Sequence, residues 1–287
     1  MPALIDLRRR IKSVRNTQQI TKAMKTVSTA KFKKSQRRVL ESRPWWHAYP
    51  EFMSRLAGWL GSQSHPLLEG RLEKRILGVV LTSDKGLCGA FNSNLLSAAH
   101  RFFDEQARTA DVRLILIGKK AAGFFKSQPF PVDLALADRA DKLPLSRLKD
   151  LAGDLMRRYA HYRTDAVYVV YNEFKSILAP RVTVLRLLPV LPKDGAPAAD
   201  SWSPDWEPEA AVLLRALLPM FIEHQVYHCY FESQAAEQAA RMMAMDNATQ
   251  NAEDLIGRLV LFLNKVRQAS ITKELLEIMT AVEALSK

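Results

Sequence analysis

Two glycine-containing stretches are the closest approach to a phosphate-binding site in this sequence. The first is Thr82–Ala90, in which Gly86 and Gly89 follow a predicted strand, and the second is Gly118–Lys120. A phosphate loop needs closely spaced glycines, as in Gly-x-x-x-x-Gly-Lys-Ser/Thr or Gly-x-Gly-x-x-Gly, so that backbone N–H groups can reach the phosphates. Neither stretch has that spacing. We therefore predict a tight turn at the first, a strand-to-helix turn at the second, and no nucleotide cofactor.

His224 and His228 have the spacing of metal ligands on a helix, because side chains four residues apart lie on one face. The glutamate of a zinc-protease motif is missing, and no third ligand is nearby. A structural pair of partly buried histidines is therefore favoured over a metal-dependent enzyme. Cys88 and Cys229 fit neither a metal motif nor a disulfide framework, and we interpret them as buried thiols in a reducing compartment. The lack of a convincing catalytic, cofactor or metal site favours a structural or coupling protein over an enzyme.

The net charge of +12 is concentrated in the first sixty residues, where 14 Lys and Arg against 3 Asp and Glu give +11. From Pro208 onward, 7 basic against 10 acidic residues give −3. Opposite signs favour two chain ends that lie side by side. The basic residues could instead bind nucleic acid, face an acidic protein surface, or be solvated. No aromatic residues are interleaved with these charges and no nucleic-acid fold motif is present, which disfavours the first option. The residues in question are Arg8 to Arg10, Lys12, Arg15, Lys31, Lys33, Lys34, Arg37 and Arg38.

The middle of the chain alternates short β-branched apolar runs with helical stretches. Continuous apolar runs are typical of strands covered on both faces. Such strands are predicted at Ile76–Leu81, Val112–Ile117 and Ala166–Val170, with an edge strand, antiparallel as one option, at Val182–Leu188. Helices are predicted near Asn92–Ala107, Lys119–Lys126 and Leu143–His161. This alternation predicts a parallel, Rossmann-like α/β domain.

Both ends of the chain have the pattern of long helices. Ser233–Lys287 contains no proline, and its apolar residues recur every three or four positions, as in a coiled coil. This helix is predicted to begin near Glu209, with a kink at Pro219. The N-terminal region has a similar narrow apolar stripe, and a bend followed by a second helical piece is predicted after Pro44.

We therefore predict an antiparallel coiled coil of terminal helices, residues 1–58 and 209–287, with an α/β domain inserted at residues 75–192. The C-terminal helix is the longer, so its end should project beyond its partner. Apolar residues on that end, such as Ile271 and Ile278, would need to be covered by something else. No segment reaches the roughly eighteen uninterrupted apolar residues of a membrane span.

Four motifs resemble the gamma subunit of F-type ATP synthases. They are Ile11–Met24, Thr82–Asn92, Glu237–Met242 and Asn264–Glu274, in the family's order. The resemblance implies a non-catalytic rotor, whose paired terminal helices form a shaft inside a hexamer of alternating alpha and beta subunits. Such a shaft couples rotation of the proton-driven membrane c-ring to the nucleotide affinity of each catalytic beta subunit.

The resemblance also implies partners and a location. The expected partners are the alpha, beta and epsilon subunits and the c-ring, without nucleic acid. The expected location is peripheral, at the cytoplasmic face of the bacterial inner membrane. Trp206 and Glu207 match an aromatic and an acidic position at the foot of the shaft, which faces the polar loops of the ring.

Further contact positions follow from the resemblance, and none of them is catalytic. Arg267 and Gln268 would meet the beta subunit's catch loop, with Thr272 and Glu274 nearby. Near Ser270 the row of apolar residues on the C-terminal helix shifts by one position. We interpret this shift as the change from helix-facing to subunit-facing contacts. The N-terminal helix should then not pair with the helix beyond that point.

The remaining contact positions implied by the resemblance are Met24, Lys85, Cys88 and Arg241. Met24 and Arg241 occur in motifs that face each other or the lower lever of the beta subunit. Lys85 and Cys88 resemble positions near the same lever.

Overall fold

The computed structural model describes residues 2–60, 65–137, 140, 143–176, 180–190, 207 and 209–285. In chain order, one long helix precedes and another follows a region of alternating strands and helices. The elements are α1 (Pro2–Leu60), β1 (Arg75–Leu81), α2 (Phe91–Gln106), β2 (Asp111–Ile117), α3 (Lys119–Phe125), β3 (Val132–Leu136), α4 (Leu145–Ala160), β4 (Ala166–Phe174), β5 (Pro180–Leu188) and α5 (Ala210–Leu285).

The five strands form one sheet with the spatial order β3-β2-β1-β4-β5. β1 pairs in parallel with β2 and β4, and β3 pairs in parallel with β2. β5 runs antiparallel to β4 at one edge. The predicted strands, the antiparallel edge strand and the helices between them are confirmed, with bounds that differ by a few residues. The parallel order 3-2-1-4 confirms the Rossmann-like α/β fold.

Strand β3 is missing from the sequence-based prediction. Every residue of this strand is half-buried or exposed, with Val132 and Leu134 about 40% exposed, and Asp133 interrupts its apolar residues. Hydrogen bonds to β2 hold it in the sheet instead, because an edge strand needs only one neighbour. Short, partly exposed edge strands have a weak apolar signal.

Both faces of the sheet are covered by helices. On one face, alternate strand residues such as Leu77 and Val79 pack with apolar residues of α4 and α5, including Leu155 and Ile222. On the other face, Val80 and its alternate neighbours pack with α2 and α3 in a second cluster. The continuous apolar runs are thus explained by burial on two sides.

The two long helices pass through their prolines. Helix α1 continues through Pro44 and Pro50 to Leu60, so the separate helical piece predicted after Pro44 is wrong. Trp46, only 8% exposed, packs on His228 of α5, and such tertiary packing stabilises a helix despite a missing backbone donor. Helix α5 likewise includes Pro219. Neither helix, nor any other in the described part of the chain, is long and apolar enough to cross a membrane.

The structure forms two compact units. The first contains α1 up to Ser28 and α5 from Met242, and the second contains Thr29–Arg241. In the first unit the helices pack antiparallel, since Lys25 pairs with Asp246 at 2.6 Å and the Thr21 and Thr249 hydroxyls are hydrogen-bonded at 2.8 Å. The residue numbers in these pairs sum to 271 and 270. In this register, the start of α1 at Pro2 is level with the residues just before Ser270.

Gly78 lies where β1 passes closest to α2. A Cβ atom at Gly78 would lie 2.3 Å from Cζ of Phe103 and 2.8 Å from Cδ2 of Leu114, both in the buried core. We expect Gly78→Ala to lower the free energy of unfolding by about 1–3 kcal/mol, as overpacking of a core does. Urea unfolding of the purified chain, followed by circular dichroism, measures this change.

Gly123 provides the matched control for that substitution. It lies in α3, and a Cβ atom there would meet nothing within 4 Å. Gly123→Ala should therefore stabilise the chain by roughly 0.5–1 kcal/mol through helix propensity. If Gly78→Ala were as stable as the wild type, the close approach of β1 and α2 would not constrain position 78.

Candidate functional site

The loop after β1 is attached to α5 through Arg241. This guanidinium is 8% exposed and donates to the backbone oxygens of Lys85 at 3.3 Å and Gly86 at 3.4 Å. It also pairs with Glu237 at 2.7 Å. The structure therefore brings together Lys85 and Arg241, two of the predicted contact residues, which are 156 positions apart in the chain.

Cys88 lies in the same loop and faces inward. Its thiol is buried beside the Arg241–Glu237 pair, and burial is the main cause that raises its pKa, with Arg241 opposing and Glu237 adding to the effect. A thiol with a raised pKa is neutral at physiological pH and a poor nucleophile. The exposed residues of the loop are Lys85, Leu87, Gly89 and Ala90, with Leu87 at a left-handed φ of 61°. Lys85 and Leu87 carry the large side chains on the surface that the loop presents.

Side chains at the carboxyl end of β1 bind the backbone of neighbouring turns. The Thr82 hydroxyl accepts a hydrogen bond from Ala121 N at 2.9 Å, and the Asp84 carboxylate accepts one from Lys119 N at 3.0 Å. Gly118 has a φ of 100°, and a Cβ there would lie 2.4 Å from the Thr82 carbonyl oxygen. The predicted strand-to-helix turn is thus confirmed, with glycine required by both backbone conformation and space.

The two histidines of α5 make aromatic contacts. The His228 ring centroid lies 4.0 Å from that of Trp46 and 6.2 Å from that of Tyr171, and His224 lies 6.0 Å from Tyr227. Among the residues that the structure describes, no group of three His, Cys, Asp or Glu side chains could hold a metal ion. These contacts support a structural role for the pair.

The end of α5 projects without cover, as the sequence predicts. Every described side chain from Ile271 to Val282 is exposed, including Leu275 at 56% and Ile278 at 59%. The change from half-buried to exposed positions occurs at Ser270, where the register of the first unit also places the start of α1. An exposed apolar stripe of this kind marks a protein interaction surface.

The predicted contact residues on this end of α5 are all exposed. They are Arg267, Gln268, Thr272 and Glu274. The Thr272 hydroxyl donates to the Gln268 carbonyl oxygen at 3.0 Å, one turn earlier in the helix.

Three other predicted contact residues lie elsewhere. Met24 is half-buried in α1, within the first unit, and Glu207 is exposed. Trp206 lies outside the described residues.

Sequence reasoning missed an ionic clamp in the second unit. Glu232 of α5 is 2% exposed, accepts a hydrogen bond from Phe174 N at 2.8 Å, and lies 3.4 Å from the Arg43 guanidinium of α1. Arg43 also donates to the Phe174 carbonyl oxygen at 2.6 Å. The clamp thus joins both long helices to the end of β4. The available signal was a glutamate spaced three residues from each of two buried positions, Cys229 and Ala235.

Comparisons with known proteins agree with this arrangement of helices and sheet. The family model described as ATP synthase matches residues 3–285. The ATP synthase gamma chain of Pelotomaculum thermopropionicum is 42% identical over 285 residues, which cover 99% of this chain and 100% of the relative. The gamma chain of Solibacter usitatus is 42% identical over 289 residues, with 99% of each chain covered.

Solved structures show the same fold. A chain from the central stalk and c-ring structure of the Tetrahymena thermophila mitochondrial ATP synthase aligns with a TM-score of 0.60 and 26% identity, covering 80% of this chain and 99% of that one. A chain from the Euglena gracilis mitochondrial enzyme aligns with a TM-score of 0.68 and 19% identity, covering 99% and 95%. From the family model and the full-length relatives together, the chain belongs to the ATP synthase gamma chain family.

Proposed function

We propose that this chain is the central-stalk rotor subunit of a proton-translocating F-type ATP synthase. The observation that carries the proposal is the exposed end of α5, which follows an antiparallel helix pair and has the apolar surface of a protein contact. Its relatives are gamma chains, and one structural neighbour comes from a central stalk and c-ring assembly. The chain couples rotation of the membrane ring to conformational changes in the catalytic beta subunits.

Within that role, the chain is a non-catalytic subunit. It works at the cytoplasmic face of the bacterial inner membrane as a peripheral component, with the alpha, beta and epsilon subunits and the c-ring as partners. Residues 1–58 and 209–287 act as the shaft and residues 75–192 as the inserted domain. Contacts with the beta subunits involve two sets of residues. They are Arg267, Gln268, Thr272 and Glu274 at the end of α5, and a second set made of Met24 and Arg241 on the long helices and Lys85 and Cys88 in the loop after β1.

Trp206 and Glu207 are proposed to face the ring. An aromatic and an acidic side chain next to each other suit polar loops at a membrane surface. This part of the proposal rests on the resemblance of that short stretch to the family's foot region.

Co-assembly tests the rotor function directly. The purified chain is mixed with the alpha and beta subunits of a related enzyme, and the complex is isolated by size exclusion and assayed for ATP hydrolysis. We expect a stable complex that contains one copy of this chain and, with the membrane ring, pumps protons on ATP addition. Failure to co-assemble, or full proton coupling in an assembly that lacks the chain, would contradict the proposal.

The contact residues at the end of α5 are tested in the same complex. Replacing both Arg267 and Gln268 with alanine removes one cationic and one amide hydrogen-bonding group from an exposed helix surface. We expect ATP-driven proton pumping to fall by about tenfold, since a hydrogen bond to a charged group contributes about 1.5–3 kcal/mol. The matched control replaces Arg258 and Gln250, also exposed on α5, and should pump at the wild-type rate.

The alternative is a basic coiled coil that binds nucleic acid. Arg8, Arg9 and Arg10 are exposed on α1, as such binding would require. That function predicts affinity for a DNA duplex that falls steeply as salt rises. We expect the assembled complex to show no such binding at physiological salt.

A further inference from the structure

The loop after β1, residues 82–90, presents one large apolar side chain to the surface. Leu87 is 62% exposed, and it belongs to neither of the two apolar clusters that cover the sheet. Its neighbour Cys88 faces inward and is only 2% exposed. A single exposed leucine is common on protein surfaces, so exposure alone gives Leu87 no role. Its backbone conformation is what sets it apart.

Leu87 has a φ of 61°, in the left-handed region that favours glycine. There the Cβ atom of any other residue crowds the following carbonyl oxygen, so a leucine destabilises the fold relative to glycine or asparagine. Among the described residues other than glycine, the second positive φ is that of Tyr162, whose ring packs on the Arg71 guanidinium at 3.9 Å. Leu87 has no comparable place in the fold. Its side chain adds strain without adding to the core.

Hydrogen bonds on the residues just before Leu87 hold the loop in this conformation. The Arg241 guanidinium donates to the carbonyl oxygens of Lys85 and Gly86. The Ser83 hydroxyl donates to the Lys85 carbonyl oxygen at 2.7 Å. The surrounding structure thus enforces the strained backbone, and strain that is enforced in this way clusters at sites of function.

The surface around Leu87 is positively charged. Lys85 and Lys120 are exposed, and neither makes an ion pair with a described residue. The Lys120 ammonium lies beside Gly86, since a Cβ atom built there would be 4.0 Å from its Nζ. The carboxylate of Asp84 is used inside the protein, where it accepts hydrogen bonds from two backbone N–H groups. An apolar side chain within a charged rim is the usual arrangement of a protein contact, and cations in the rim fit a partner with carboxylates.

We propose that Leu87 is the apolar anchor with which this loop binds a catalytic beta subunit, in a pocket bordered by carboxylates. The proposal rests on the proposed rotor function, which places the loop against the beta subunits, and it names the side chain that makes the contact. Because the Cys88 thiol is buried, it supports the loop from beneath and does not reach the partner. The leucine is kept in a conformation better suited to glycine because the complex uses its side chain.

Photo-crosslinking in the assembled complex tests which subunit Leu87 contacts. The full chain carries p-benzoylphenylalanine in place of Leu87, is assembled with the alpha, beta and epsilon subunits of a related enzyme, and is irradiated. We expect mass spectrometry to find a crosslink to the beta subunit, on a peptide that contains Asp or Glu. The same group in place of Leu72, which is 82% exposed just before the start of β1, is the control and should give no beta product.

Stability and function should respond differently to substitution at this position. Leu87→Asn introduces a residue that tolerates a left-handed φ, so its midpoint of urea unfolding should equal or exceed that of the wild type. ATP-driven proton pumping should nevertheless fall by at least about tenfold, as expected for loss of one buried leucine contact. Leu87→Met keeps an apolar side chain of similar volume and should pump within about twofold of the wild type. Leu72→Asn is the matched control and should leave pumping unchanged.

Reversing the two lysine charges tests the chemistry of the rim. Lys85→Glu/Lys120→Glu should lower pumping, because like charges would then face each other, and higher salt should recover part of the loss. Arg101→Glu/Lys126→Glu reverses two charges at other exposed positions, in α2 and just after α3, and should have no such effect.

The contact is overturned by a position-87 crosslink that is absent or reaches only alpha or epsilon, or by a Leu87→Asn complex that pumps at the wild-type rate. It is also overturned if Leu87→Asn unfolds at a lower urea concentration than Leu72→Asn, because the side chain would then serve the fold. Failure of the wild-type chain to co-assemble would contradict the rotor function as well. A complex that assembles and pumps but is unaffected by Leu87→Asn contradicts the contact alone.

Discussion

Replacing Arg241 with alanine is expected to lower the free energy of unfolding by about 3–5 kcal/mol, the range for removing one partner of a buried ion pair. The substitution leaves Glu237, itself only 7% exposed, without the guanidinium 2.7 Å away. It also removes the donors that hold the Lys85 and Gly86 carbonyl oxygens. The second unit should therefore lose both stability and the fixed position of the loop after β1. Urea unfolding of the full chain measures the loss of stability.

Limited trypsin digestion measures how firmly the loop after β1 is held, because Lys85 is exposed and its loop is bound by Arg241. We expect cleavage after Lys85 to be faster in Arg241→Ala than in the wild type under native conditions. The double variant Arg241→Ala/Glu237→Ala should recover part of the lost stability, since it removes the unpaired carboxylate as well. Arg258→Ala, at an exposed position of the same helix, is the control and should change stability by less than about 0.5 kcal/mol. An Arg241→Ala chain as stable as this control would show that the contact to the loop contributes little.

Replacing Glu232 is expected to cause the second large loss of stability, because the side chain contributes both hydrogen bonds and a charge. Glu232→Ala leaves the Phe174 N–H without an acceptor and the Arg43 guanidinium without its carboxylate. We expect a loss of about 2–4 kcal/mol in the free energy of unfolding. Glu232→Gln keeps an acceptor for Phe174 and should lose clearly less. Glu253→Ala, at an exposed site on α5, provides the baseline.

The same residue predicts a pH dependence. Burial is the main cause that raises the pKa of Glu232 above its ordinary value of 4.5. The hydrogen bond from Phe174 N and the charge of Arg43 lower this pKa, and the charge of Glu173 raises it. Between 4.5 and the raised pKa, the folded chain holds a proton that the unfolded chain has lost, so stability should decrease as the pH rises through this window. Glu232→Gln removes this dependence. A wild-type stability profile that matches the Gln variant across the window would contradict the prediction.

The sequence was sufficient for the elements whose pattern is local. Ile76–Leu81 is apolar apart from Gly78 and Val112–Ile117 is apolar apart from Arg113, and runs of this kind without alternation identify strands with helices on both faces. The length of α5 could be predicted from the spacing of its apolar residues. The exposure of its end could be predicted because α5 is longer than the N-terminal helix. Strand β3 could not be read in this way, because its place at the sheet edge depends on backbone pairing with β2.

Contacts between distant parts of the chain were not readable from one sequence. Arg241 and Lys85 stand in separate motifs, and only the folded chain shows that the guanidinium of one binds the carbonyl oxygen of the other. Arg43 and Glu232 are 189 residues apart, and neither lies in a motif that predicts their pairing. The cluster of Arg75, Arg113, Asp133 and Arg158 likewise assembles side chains from three strands and a helix, whose common edge is set by the sheet order.

The end of helix pairing near Ser270 has a mechanical consequence. Two helices joined by contacts such as Lys25–Asp246 resist torsion more than one helix does, because the contacts between them must also be distorted. Beyond that point α5 is a single helix, and its resistance to torsion comes from its own backbone hydrogen bonds. The last turns of α5 should therefore be easier to twist than the paired part of the two helices.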